Sequence, residues 1–562
     1  MRLFLASVFT ILLLSGFLAT ALFVLLFFAG FIDAAVLISL VILFNFVLWL
    51  VSPKLSDFIY RYFFKMRWMS LEELGKRSRK TVEFLENTCR KYNFPLPKLG
   101  IIDDKNPNAF TYGSGRWNAR IIVTEGIFHY LEEDHIVAVY AHELGHIKNR
   151  DFIIMTLAST ILQLLYVVSQ ILIRSRLYES SGRGGSKREG GGIILIVGII
   201  SYIFYLIGQY IVLYLSRVRE YYADEFSARE TGNPNALSLA LIRIAYGILA
   251  NPDNVELINT TKHMGIVNFH AAKSTGLTYH ISQKLRDASI LERAFLFDIC
   301  NPWAFISELN STHPLTGKRI RRLCMLCKDI GVKSLFDFDK IREEYQVDRR
   351  KLRWNFVKDM FVLFLPVLLA TGFPVIYILL HIGMNSDILS SLFVPGFVVR
   401  LAFELIPFWL IIIGLTIVVR TLYRYPRGRG KEMRIVDLLC DVYASPVRGR
   451  KVVVNGKFIG KGVPGFIFSE DMMMKDSTGL IYLNYESWLP FLGNLIFSVS
   501  KVNELIGKEA RVEGWFLRGL SSRIDLDYLK SGGEIVKSYV KLLGILSGLI
   551  IAGIGLMLIF GL

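Results

Sequence analysis

Seven long runs of apolar residues, almost free of charge, leave this chain few ways to fold. Crossing a bilayer as a helix takes about 20 mostly apolar residues. The runs Leu3–Ile32, Ala34–Val51, Phe152–Ile173, Ile193–Leu215, Met360–His381, Leu392–Val419 and Leu542–Leu562 each come near or exceed that length. They account for a 562-residue composition that is 53% hydrophobic and only 20% charged, and they exclude a wholly soluble or disordered protein. The first run is about twice the 7–15 residues of a signal-peptide core. A second run follows directly after Asp33, so the pair reads as an uncleaved hairpin. Five cysteines in so long a chain exclude a disulfide scaffold.

Lys and Arg near the span ends set the orientation. Sixteen of them lie from Lys54 to Arg150, and Arg217–Lys351 and Arg420–Lys541 are also strongly basic. All three stretches fall on one side if every span crosses, which makes that side cytoplasmic. The five basic residues of Arg174–Gly192 fall on the other side; their Gly/Ser-rich setting marks a connector, and the larger basic segments dominate. Arg400 and Glu404 share a face of the sixth span, as a neutralised internal pair would. The formal charge of +17 suits a surface lying against anionic lipid, and no nucleic-acid partner is expected.

The expected fold class is an α-helical multi-pass membrane protein of about seven spans with two soluble parts. Residues 1–52 form a transmembrane hairpin, 53–151 the first part of a catalytic α+β domain, and 152–215 a second hairpin. Residues 216–351 complete that domain, and 352–420 form a third hairpin. A β-rich domain at 421–537 and a terminal span at 538–562 follow. In the first soluble part, strand-like runs at Lys98–Asp103, Ala109–Tyr112 and Ala119–Thr124 include a hairpin at Gly113–Gly115, and a helical pattern continues from Glu132 into the third span. In the second, Asn455–Gly456 between Lys451–Val454 and Lys457–Lys461 predicts a hairpin turn in a small β-barrel or sandwich. The uncharged stretch Trp488–Val499 suits either the membrane interface or packing on the enzyme. Gly544–Gly548 suits an internal helix contact or dimerisation; the oligomeric state itself is not legible.

The chemistry centres on His142-Glu143-Leu144-Gly145-His146. Two imidazoles four residues apart share a helix face and can reach one zinc ion, and Glu143 beside them can take a proton from the attacking water. Catalytic zinc takes three protein ligands. Glu220 is the candidate third, because His146 lies six residues before the third span and Glu220 five after the fourth. At 1.5 Å per helical residue both stand within roughly 10 Å of the same membrane face. Asp224, one turn further on, can accept from the far nitrogen of a ligating His.

His142–His146 followed by Ser216–Asp224 resembles the HtpX family of membrane zinc metallopeptidases, gluzincins related more distantly to the CaaX prenyl proteases. Asn108-Ala109-Phe110 resembles the family's edge strand, and Thr312-His313-Pro314 with Arg319-Ile320 its downstream motif. The resemblance covers roughly Met1–Leu323. It implies one zinc per chain on His142, His146 and Glu220, with Glu143 as general base and acid. Asp224 would stand behind the ligands. His313, by itself readable as a packed or exposed histidine, would join catalysis at the oxyanion, and Arg319 would join Asn108, Ala109 and Phe110 in positioning substrate. The expected activity is zinc-dependent hydrolysis of peptide bonds in misfolded or damaged membrane proteins. It would take place at the cytoplasmic face of the cell membrane, with lipid bilayer and polypeptide as partners. Rival readings are a processing protease for a lipidated or signal-type substrate and a non-catalytic metal-binding scaffold. The added region after about Lys351 shows no catalytic constellation.

Overall fold

The computed structural model describes residues 33–179, 191–250, 289–384, 395–461, 472–490, 492–519 and 522–560, with a few positions between 275 and 287. Among them, five helical segments are long and apolar enough to cross a membrane: Ala35–Phe63, Asp151–Leu172, Arg349–Gly372, Leu405–Arg424 and Val540–Phe560. The expected run Ile193–Leu215 lies within one continuous helix, Gly191–Thr231. The run Leu3–Ile32 and the side chains of Arg400 and Glu404 lie outside the described residues, so the described spans number five where the sequence suggested about seven.

The described residues fall into two compact units. In the first, helix α1 (Ala34–Phe63) leads to a four-stranded sheet of order β1-β2-β4-β3, made of Arg67–Trp68, Lys98–Ile102, Ala109–Tyr112 and Arg120–Thr124 for β1 to β4. β2 and β4 run parallel and β3 pairs antiparallel with β4, which leaves β3 at an edge. Side-chain alternation then divides β3 between two cores. Phe110 and Tyr112 pack with Tyr60 of α1, Met66 and Ile122. Ala109 faces the other way, into a cluster with Val139, Tyr140 and Leu144. That second cluster is built on helix α2 (Glu133–Lys148) and also takes in Phe226 and Leu237. Each fully buried Val, Leu, Ile or Phe among them contributes roughly 1.5–3 kcal/mol relative to exposure.

The helical pattern does not run unbroken from α2 into the third span. Asn149 closes α2, and Arg150 has a φ of 59°, so helix α3 (Asp151–Glu179) starts afresh in a new direction. A non-glycine residue in the left-handed region marks a turn that ends one helix and redirects the chain. Helix α4 (Gly191–Thr231) returns along α3, and helix α5 (Pro234–Ala250) packs on α2. Helix α6 (Thr316–Ile330) closes this unit and ends on Gly331 in a left-handed cap.

The second unit holds helices α7 (Arg349–Met384), α8 (Pro395–Arg424) and, at its end, α10 (Val540–Phe560). Between α8 and α10, seven strands form a sheet: β5 (Lys431–Glu432), β6 (Arg450–Lys461), β7 (Met472–Lys475), β8 (Leu480–Asn484), β9 (Glu509–Arg518), β10 (Ser522–Ser531) and β11 (Glu534–Lys537). Five of them close into a ring, β6-β7-β8-β10-β9 and back to β6, with only β8 and β10 parallel. This is a five-stranded Greek-key barrel of the OB-fold kind, with helix α9 (Leu492–Val499) between β8 and β9.

No turn forms at Asn455–Gly456, contrary to the local signal. β6 passes straight through, pairing with β9 from Arg450 to Lys457 and with β7 from Lys457 to Lys461. Gly456 sits where the strand changes partners, and a Cβ there would meet the Lys475 carbonyl oxygen at 2.4 Å. The glycine permits a barrel corner, and two ladders outweigh the propensity of the dipeptide. The small residues near the C-terminus serve an internal contact. A Cβ on Gly414 of α8 would lie 2.4 Å from the Gly548 carbonyl oxygen of α10, and one on Gly555 would lie 2.6 Å from that of Pro407. The two helices therefore touch backbone to backbone, as glycine-mediated membrane pairs do.

Candidate metal centre

α2 enters the core on its apolar residues, with Ala138, Val139, Tyr140, Ala141, Leu144 and Ile147 all fully buried. Its last turn is satisfied by the Arg116 guanidinium, which donates to the Lys148 carbonyl. α4 crosses it at Gly145, where a Cβ would stand 3.0 Å from the Ala223 Cα. Only glycine allows the helices that close. Ser227 of α4 reinforces the crossing by donating to the Ala138 carbonyl at 2.7 Å.

That crossing lays Glu220 over the two histidines of α2. His142 Nε2 and His146 Nε2 are 3.3 Å apart. Glu220 Oε2 is 3.6 Å from the first and Glu220 Oε1 3.5 Å from the second. Tetrahedral coordination with ~2.05 Å bonds puts neighbouring donor atoms about 3.3 Å apart, so this triangle fits a zinc-sized ion. Among the described residues these three are the group of His, Cys, Asp or Glu side chains whose donor atoms converge in this way. Glu220 Oε2 is buried with no hydrogen-bond partner, a gap a cation would fill.

Each ligand candidate is braced from behind. His142 Nδ1 lies 3.0 Å from Asp224 Oδ1. Asp224 in turn accepts from Arg319 Nη2 at 2.6 Å and Nε at 2.8 Å, while Arg319 Nη1 stands 3.4 Å from Glu220 Oε2. His146 Nδ1 lies 2.6 Å from Asp151 Oδ2, the first residue of α3, which also pairs with Arg219 Nε at 3.1 Å. Glu143 is buried on the same helix and accepts the Thr111 hydroxyl from β3. His313 comes from the loop before α6 and places Nε2 3.7 Å from Glu220 Oε1. Arg217 holds that loop by donating to the carbonyls of Glu308 at 2.6 Å and Ser311 at 2.8 Å.

The charges in this pocket are strongly coupled. Burial opposes the charged form of His142, but the neighbouring carboxylates of Asp224 and Glu220 outweigh it and push its pKa up to about 9. Burial likewise opposes ionised Glu220, yet His313, His142, His146 and Arg319 hold its carboxyl well below the usual carboxylate range. Burial raises Glu143 above its ordinary value and lowers His313 to about 4, which keeps that imidazole neutral at pH 7. A metal ion taking His142 must displace its proton, so binding weakens as pH falls.

The structure thus gathers His142, Glu143, His146, Glu220, Asp224, His313 and Arg319 into one pocket. Arg319 points to the two carboxylates. Asn108 directly precedes β3, and Ala109 and Phe110 open it; all three are buried, with Ala109 and Phe110 in the two cores that β3 divides. Thr111, Asp151 and Arg219 were not singled out from sequence. The signals were faint: Thr111 shares the strand face of Ala109, and Asp151 follows His146 by five residues. Asp151→Asn keeps the shape of the His146 brace and removes its charge. Metal affinity is expected to fall ~10–100-fold, measured by competition with a chromophoric chelator. An affinity within twofold of wild type would reduce Asp151 to a residue that closes the turn.

Residues 76–326 match the family described as Peptidase family M48. A "Protease HtpX homolog" from Aquifex aeolicus (strain VF5) is 33% identical over 251 residues, 44% of this chain and 72% of the relative. Another of that name, from Aeropyrum pernix, is 33% identical over 286 residues, 51% of this chain and 84% of the relative. The crystal structure of S. mikatae Ste24p aligns over 57% of this chain and 66% of that one, at 20% identity and a TM-score of 0.35, a likeness too slight to bear on the fold.

Proposed function

Because this chain belongs to peptidase family M48, as an HtpX-like membrane metallopeptidase, we propose that it is a zinc endopeptidase. It cuts misfolded or damaged membrane proteins at the cytoplasmic face of the cell membrane. The observation that carries this reading is the triangle of His142, His146 and Glu220 with Glu143 buried beside it. His142, His146 and Glu220 hold one zinc ion, which when bound polarises the scissile carbonyl and acidifies water. Glu143 takes the proton of the attacking water and hands it to the leaving amine. The Thr111 hydroxyl keeps that carboxylate in place, and its raised pKa suits a group that must both accept and release a proton. Neutral His313 offers a hydrogen-bond donor beside the reacting carbonyl.

The outer edge of β3, which begins at Ala109 directly after Asn108 and continues through Phe110, pairs with an extended substrate through main-chain groups. Ala109 and Phe110 are fully buried, so they cannot select side chains. Loose sequence selectivity and a need for unfolded chain follow, and both suit a quality-control role. The basic segments flanking the spans support a cytoplasmic site.

The test uses full-length protein in proteoliposomes, with zinc or with chelator, and a membrane-protein substrate in native and destabilised forms. Zinc-dependent cleavage confined to the destabilised form, on the side bearing the basic segments, is expected. Preferential cutting of a short lipidated or signal-type peptide would replace quality control with processing. Bound zinc with no cleavage of any substrate would overturn the peptidase reading in favour of a scaffold.

A further inference from the structure

We propose that Trp488 and Leu489, together with helix α9, form a lipid-facing anchor of the barrel unit. Trp488, Leu489, Leu492 and Ile496 would then rest in the interfacial layer of the bilayer that α10 crosses. These four side chains are 53%, 60%, 60% and 65% exposed. No charged residue occurs from Ser487 to Ser500. Leu492 and Ile496 lie one turn apart on α9, so they form a single outward stripe, while Asn494 and Phe497 of the same helix face inward.

The exposure is built in. Asn494 accepts from the Ser487 amide at 2.8 Å and donates to Glu486 at 2.9 Å. Ser487 donates to the Leu489 carbonyl at 2.6 Å, and the Gly493 amide donates to the same carbonyl at 2.9 Å. Phe497 stacks on Tyr485 with ring centres 3.8 Å apart. Polar groups and one aromatic stack thus hold the apolar residues outward, on a scaffold that loses little freedom when a partner covers it.

The level of this face relative to the bilayer follows from α10. Its 21 residues span ~32 Å, close to the ~30 Å of a hydrocarbon core, so its first residues mark the membrane boundary. Tyr539, just before α10, donates its amide to the Glu486 carbonyl at 2.8 Å. The Glu486 amide donates to Ser538 Oγ at 3.2 Å. The Trp488 ring lies edge-on to that of Tyr539, with centres 5.7 Å apart. Trp and Tyr side by side at a span's end are the residues membranes favour at the headgroup level.

α8 fixes the tilt. It packs on α10, and directly beyond its end Tyr425 donates to Asp525 at 2.8 Å while Trp515 donates to the Pro426 carbonyl at 2.9 Å. The barrel is thereby pinned at two adjoining helix ends, and Leu542, three residues after the Tyr539 that Trp488 touches, is 41% exposed. Exposed Arg427, Arg429 and Lys431 just past α8, with Lys537 before α10, supply cations at the depth of anionic headgroups.

The measurement is nitroxide accessibility in the full-length protein, reconstituted into bilayers of mixed zwitterionic and anionic phospholipid. Labels are placed at Leu492→Cys and Ile496→Cys, both exposed positions, and the signal of the labelled wild-type chain is subtracted. Lys508→Cys serves as the reference, because it precedes β9 and lies about 20 Å along the strand from Trp515. Labels at 492 and 496 are expected to collide with oxygen several-fold more than with a water-soluble nickel chelate, and the label at 508 to show the reverse. Nickel access at 492 and 496 equal to that at 508 would overturn the proposal by placing the face in water. Shielding from both reagents would overturn it by showing that protein covers the face.

Discussion

Glu143→Gln lowers casein cleavage by about 10³-fold, within the 10²–10⁴ that a positioned acid–base group contributes, while zinc stays near one per chain. The two halves of this expectation rest on different atoms. The proposed zinc would be held by His142 Nε2, His146 Nε2 and the Glu220 carboxylate, and Glu143 contributes no atom to that triangle. Gln has almost the volume of Glu and keeps an oxygen that can accept the Thr111 hydroxyl, so the packing of β3 on α2 survives. What it lacks is basicity. The buried carboxyl of Glu143 holds a proton more readily than an ordinary glutamate, a property the proposed proton transfer would use and metal binding would not. Cleavage per bound zinc, measured for wild type and variant from one detergent preparation, decides the matter. Near-wild-type turnover would remove Glu143 from the base role, and loss of zinc would make it a ligand.

The His142–His146 pair was legible because helical periodicity alone puts residues four apart on one face. Glu220 was legible because two apolar runs form a hairpin whose ends must meet at one membrane surface. Neither argument reaches the contacts that tighten the centre. That Gly145 faces Ala223 is a matter of which helix faces touch, and single-chain patterns carry no such information. Asp151 was hidden by a bend: Asn149 and Arg150 read as the polar margin of a continuing helix, while the backbone turns at Arg150 and delivers the next carboxylate to His146. At Asn455–Gly456 the local signal was strong and misleading, because pairing partners on both edges of β6 outweigh a two-residue preference. Long-range contacts decided the first and third cases, and a single left-handed residue, Arg150, decided the second.

Arg319 shows how burial changes the meaning of a charge, and its replacement carries the second large effect. The resemblance to HtpX proteases cast it as a substrate contact, yet it is only 1% exposed and its guanidinium forks onto Asp224 at 2.6 and 2.8 Å. Burial alone would disfavour its charge, but Asp224 outweighs that and raises its pKa further. Arg319→Met fills most of the same space and leaves the fully buried Asp224 carboxylate without its cation. Breaking a buried pair from one side costs about 3–5 kcal/mol, so the unfolding midpoint of the detergent-solubilised protein falls sharply. Asp224 also orients His142 through Nδ1, and loosening such a brace weakens zinc affinity ~10–100-fold. Arg319→Lys restores the charge without the fork and recovers part of the stability. A direct substrate contact would leave a different trace: KM would rise while the unfolding midpoint and zinc affinity stayed at wild-type values. Measured together, these three quantities distinguish a residue that holds the site from one that holds the peptide.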